Sequence, residues 1–113
     1  MKEIRYVLER QLTAEGAAEL NELGRFGLEA IEQGAIPIEE GKEAERERAI
    51  QVLSKVYEEG QWVTMGEFKR YGVAKQEKQK RVAWNKRNRT AENVRVVKAN
   101  FDPDTREYEI VPW

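Results

Sequence analysis

The sequence predicts an α+β fold, and three observations predict it. Two long segments repeat apolar residues at spacings of three and four, each closed by a glycine. A β-branched run and a shorter partner flank an Asp-Pro-Asp turn near the C-terminus. A short alternating segment opens the chain.

Residues 3–9 place Ile4, Tyr6 and Leu8 on one face and predict a strand. Thr13 is a good N-cap and Leu12 a staple for Ala17, so a helix is expected to about Gln33, with Ala17, Leu20, Leu23, Ala30 and Ile31 on its apolar side. Gly24 and Gly27 interrupt it at about 1 kcal/mol each, which predicts either a break or another element packed closely there. Ala35-Ile36-Pro37-Ile38 reads as an extended linker. A second helix is expected over 42–59, with Ala49, Val52, Leu53, Val56 and Tyr57 as its stripe. After the short extended Gln61-Trp62-Val63, Thr64-Met65-Gly66-Glu67 has the capping-box pattern and predicts a helix that Gly72 stops. A basic helix follows over about 74–89. Val94–Phe101 and Glu107–Val111 are then expected to pair as strands across the 102–106 turn.

The chemistry available is narrow. There is no cysteine and no histidine, one serine (Ser54), and only Asp102 and Asp104 as aspartates. Disulfides, thiolate metal sites and imidazole catalysis are excluded. The expectation is a non-enzyme with no catalytic residues, no metal site and no cofactor. No run is apolar enough to span a membrane, and Met1-Lys2-Glu3-Ile4 starts no signal peptide, so a cytoplasmic protein is expected.

The net charge of −1 conceals a split. Residues 1–60 carry 8 Lys/Arg against 14 Glu, whereas residues 67–98 carry 11 Lys/Arg against Glu67, Glu77 and Glu92. A polyanion responds to such a local excess within about 8–10 Å, not to the average over the chain.

From residue 42 onward the expected order is helix, short strand, short helix, basic helix, strand, turn, strand. With the capped Thr64-Met65-Gly66-Glu67-Phe68 start, Gly72 in the turn and the hairpin 94–111, this resembles the winged-helix family of helix-turn-helix domains. The resemblance implies a winged-helix-like domain over 41–113, preceded by a strand-and-helix extension over 1–40 that completes the core or dimerises. It further implies a recognition helix at about 74–89 that enters the major groove, with a wing tip at 102–106.

On a helical wheel Lys75, Lys78, Val82, Lys86 and Arg89 form one stripe, opposite Val73, Glu77, Trp84 and Asn88. The basic stripe is expected to face phosphates and Trp84 to anchor the helix. The tryptophans are expected mainly in the core. Arg81, Asn85 and Arg87 are chemically able to read base edges. Arg95, Lys98 and Arg106 are the cations expected to contribute from the hairpin.

The function this predicts is duplex-DNA binding by a small transcriptional regulator or a phage or mobile-element protein, with a possible homodimer through the N-terminal helices. The alternative is a protein-interaction module, such as a phage-encoded inhibitor of a host defence or nucleic-acid enzyme, whose partner would be a host protein or ribonucleoprotein.

Overall fold

The computed structural model describes residues 1–34 and 41–113, so the expected linker 35–38 lies outside the described residues. The fold is mixed α+β and begins with a strand. The elements are β1 (Glu3–Gln11), α1 (Ala14–Glu32), α2 (Glu43–Leu53), β2 (Trp62–Phe68), α3 (Tyr71–Arg87), β3 (Val94–Phe101) and β4 (Tyr108–Ile110). They form two compact units. One comprises Met1–Thr13 with Gly60–Trp113, the other Ala14–Glu59. No described helix is long and apolar enough to cross a membrane.

The first unit is a four-stranded antiparallel sheet of order β2-β1-β3-β4. Its central strand β1 matches the alternating N-terminal segment, so a strand expected in an extension sits in the middle of the sheet. Val7, Leu8 and Glu9 are all buried, as an inner strand covered on both faces requires. At the far end of β1, Leu12 accepts from the Gly60 amide and donates to the Gln61 carbonyl, both at 2.8 Å. Ala14–Glu59 is therefore an insertion between two neighbouring strands.

The helix expected from Thr64 is instead β2, and with it goes the first helix of the predicted helix-turn-helix. Trp62, Val63 and Thr64 are strand formers, and β1 offers them a hydrogen-bonding partner along Tyr6–Gln11. That pairing outweighs a local capping pattern. The register shifts between Leu8 and Glu9, leaving Met65 as the extra residue of a bulge.

Strand alternation gives the sheet two distinct faces. Tyr6, Leu8 and Arg10 of β1 align with Lys98, Val96 and Val94 of β3, and α3 covers this face. Arg5, Val7 and Glu9 align with Ala99, Val97 and Arg95 on the other. There Val7, Val97 and Ala99 cluster beneath Tyr108.

The second unit is a pair of helices. Gly24 and Gly27 do not break α1. A Cβ on Gly24 would lie 2.6 Å from the Leu53 carbonyl oxygen, and one on Gly27 would lie 2.8 Å from the Leu53 side chain. The close-packing alternative therefore holds, and Leu53 is what packs there. Gly34 ends α1 in the left-handed region, at φ 74°.

The second helix stops at Leu53, six residues before the predicted end. Ser54 Oγ donates back to the Ile50 carbonyl at 2.6 Å. The Asn21 amide then takes the backbone of Tyr57 from both sides, with Oδ1 accepting its N–H at 2.7 Å and Nδ2 donating to its carbonyl at 2.9 Å. Those bonds replace the helical partners Tyr57 would otherwise use. Leu23, Phe26, Val52 and Val56 of this unit are each more than half exposed.

Candidate nucleic-acid interface

The helix α3 is unusual for one that packs on a sheet, because its inner stripe is mostly polar. Ala74 and Asn85 are its buried residues, and Lys78 and Arg81 lie half-buried at the intervening turns. These four positions share one helical face at spacings of four, three and four. That face holds the helix, in place of the predicted anchor Trp84, which is 40% exposed. Trp113 is also exposed and Trp62 half-buried, so none of the three tryptophans is a fully buried core residue. Trp113 instead stacks on Tyr6, with centroids 5.9 Å apart, and meets Tyr71 edge-on.

The polar attachment centres on Glu92, whose side chain is only 4% exposed. Arg81 donates to both carboxylate oxygens, from Nε at 2.8 Å and Nη2 at 3.1 Å. Asn85 Nδ2 adds a bond at 3.2 Å, and Arg10 reaches across from β1 at 3.3 Å. Burial alone would raise the Glu92 pKa. The hydrogen bonds from Arg81, Asn85 and Arg10 and the Arg81 charge outweigh it, leaving the carboxyl below its ordinary value. The bond to Glu92 raises the pKa of the Arg81 guanidinium in turn.

Arg81 and Asn85 were expected to read bases. Their side-chain donors instead hold α3 on the sheet, because a buried carboxylate held between β1 and α3 needs them. Sequence reading gave Glu92 no role. The signal was present in an arginine and an asparagine at i and i+4, followed by an acidic residue in the next turn.

Lys75, Lys78 and Lys86 come together along one flank of α3. With Val82, Ala83 and Val96 they line a groove of about 370 Å³ between the helix and β3. Arg87 lies in the last turn of α3, and Arg89 lies just beyond it at φ 54°. Among the described residues none of these five cations forms an ion pair. Lys98 shares the α3 face of the sheet, aligned with Tyr6.

Arg95 and Arg106 do not join this group. Arg95 is on the opposite sheet face, where Nε donates to Glu9 at 2.7 Å and the guanidinium lies 4.0 Å over the Trp62 ring. Arg106 pairs with Glu67 at 3.1 Å. Glu9 is 4% exposed and also accepts from the Tyr108 hydroxyl, which Thr64 contacts at 2.8 Å. Burial, then the bond to the Glu9 carboxylate, pushes the Tyr108 pKa up to about 12.

The charge split follows the boundary between the two units. Met1–Thr13 with Gly60–Trp113 carries 15 Lys/Arg against 9 Asp/Glu, and Ala14–Glu59 carries 5 against 12. The first unit is thus +6 and the second −7. Comparison of the chain with protein-family models, with curated proteins and with solved structures gives no match.

Proposed function

We propose that the chain is a non-enzymatic nucleic-acid-binding protein that grips duplex DNA with the basic flank of α3. The observation that carries this reading is the set Lys75, Lys78, Lys86, Arg87 and Arg89, five cations with no ion pair among the described residues, of which Lys75, Lys86, Arg87 and Arg89 are exposed and Lys78 is half-buried at the edge of the inner stripe. Cations already neutralised by carboxylates would release no counterions from DNA, whereas these five would. At 1.5 Å per residue the 17 residues of α3 extend about 26 Å, enough to follow several phosphates.

In this reading α3 takes the recognition-helix role that the winged-helix resemblance suggests, although strand β2 precedes it. Base contacts would fall to the outward Gln76, Gln79 and Arg87, since Arg81 and Asn85 are occupied. Glutamine suits adenine and arginine suits guanine. The β3–β4 turn stays clear of phosphate because Asp102 and Asp104 would repel it.

The test is fluorescence anisotropy with a duplex of about 25 base pairs, from about 50 to 200 mM salt. Binding should weaken with salt by roughly 0.9 log units per log unit of salt for each phosphate neutralised. Replacing Lys75, Lys78 and Lys86 together by alanine should lower that slope by about 2.7. Unchanged affinity and slope in the triple variant would remove the basic flank from the mechanism.

A further inference from the structure

The β3 strand has β1 along its full length on one side, but β4 covers only Ala99–Phe101 on the other. One further bond, from the Val111 amide to the Lys98 carbonyl at 2.9 Å, extends that cover by a residue. It also fixes the direction of the backbone groups. Lys98 turns toward β4, so by the two-residue period Val96 and Val94 turn the same way. Among the described residues neither has a backbone partner on that edge.

Exposed edges are usually blunted by a bulge, a proline or an inward charge. The sheet's other edge, β2, carries the Met65 bulge. The stretch Val94-Arg95-Val96-Val97 has no bulge and no proline, and Arg95 projects to the opposite face and pairs with Glu9.

The groove beneath α3 opens beside this edge. Val82, Ala83 and Val96 give it apolar walls, and Lys75, Lys78 and Lys86 line it with positive charge that has no ion pair among the described residues. A free backbone edge, an apolar trough and a row of cations are three separate features that one kind of ligand satisfies together. We propose that the Val94–Val96 edge and the adjoining groove dock an extended acidic peptide from a partner protein, which adds to β3 as a further strand. Its backbone would pair with Val94 and Val96. Alternate side chains would enter the groove, and its carboxylates would meet the three lysines. Charge selects this occupant over a second copy of the chain, because β3-to-β3 pairing would bring two lysine rows and two +6 units together.

This inference does not rest on DNA binding. The probe is a capped peptide of about seven residues whose alternate, groove-facing positions carry both glutamate and valine, with threonine between them, titrated by calorimetry and followed by amide hydrogen exchange. Expected are salt-sensitive binding, slowed exchange of the Val94 and Val96 amides, and affinity at least about tenfold weaker in Val96→Pro, which removes one edge donor. Val96→Pro leaves every lysine in place, so its duplex-DNA affinity should not change. A peptide that fails to bind, or that binds without slowing those two amides, overturns the proposal. Edge protection that depends on protein concentration without peptide also overturns it, by making a second copy the occupant. The exchange measurement uses the unaltered chain, so it decides the matter even if the proline variant fails to fold.

Discussion

Replacing Glu92 by glutamine should cost the sheet unit about 3 kcal/mol. The carboxylate is 4% exposed and receives donors from three residues on two elements, with Arg81 gripping it through both oxygens. A hydrogen bond to a charged group contributes about 1.5–3 kcal/mol net, and breaking a fully buried pair costs about 3–5 kcal/mol. The two arginine side chains are 24% and 23% exposed, so water recovers part of their solvation and the loss falls near the lower bound. Glutamine conserves volume and one acceptor but turns an amide N–H₂ toward guanidinium donors. Urea unfolding followed by circular dichroism should show a lower midpoint with an unchanged slope. The melting temperature should fall by about 12 °C, at roughly 4 °C per kcal/mol. A loss below about 1 kcal/mol would mean that α3 is held by its few apolar contacts and not by Glu92. A double-mutant cycle with Arg81→Met should give a coupling of about 1–3 kcal/mol, and independence of the two substitutions would carry the same message.

Three further outcomes are expected. The depressed Glu92 pKa means its stabilisation is fully present above the ordinary carboxyl value of 4.5 and is lost as pH falls below it. Acid unfolding of Glu92→Gln should lack that part of the loss, and identical acid limbs for the two proteins would contradict it. The Tyr108 pKa is raised, so its contribution persists up to the ordinary value of 10.0 and disappears between there and about 12. Ultraviolet titration should find a late phenolate that is missing in Tyr108→Phe. Gly24→Ala should destabilise the Ala14–Glu59 helices by about 1–2 kcal/mol, because a clash with the Leu53 carbonyl outweighs roughly 1 kcal/mol of helix propensity. Gly27→Ala meets only the end of a leucine side chain and should be near neutral, and equal effects at the two sites by thermal unfolding would refute the distinction.

The sequence was informative wherever one element's own residues decide its conformation. Alternation in residues 3–9, the helical periodicity that predicts α1, and the β-branched run Val94–Phe101 all correspond to elements of the fold. Reading failed where a distant segment decides. Thr64-Met65-Gly66-Glu67 has sound local helix chemistry, yet β1 from more than fifty residues away takes it as a strand. Asn21 ends α2 by the same kind of long reach. At the candidate site the cations of α3 were legible as charge, but which of them are free was not. That depends on Glu92, which sits beyond the helix and is approached from β1 as well as from α3. The open edge of β3 did leave a trace in the sequence, since the hairpin's first arm is eight residues long and its second is markedly shorter.

The central place of β1 also governs the order in which the fold can assemble. Its residues are made before its partner strands, since they pair with segments that begin 51 positions later, at Gln11 and Trp62, and extend to 98 positions later, at Glu3 and Phe101. Almost none of the sheet's pairing is available until most of the chain exists. Such contact separation belongs to the slow regime, milliseconds to seconds, because loop entropy is lost before any pairing compensates it. During synthesis the Val7-Leu8 stretch would stay unpaired while the intervening helices form. Charged Glu3, Arg5, Glu9 and Arg10, which frame it in the folded sheet, would then also act as gatekeepers against premature association of nascent chains.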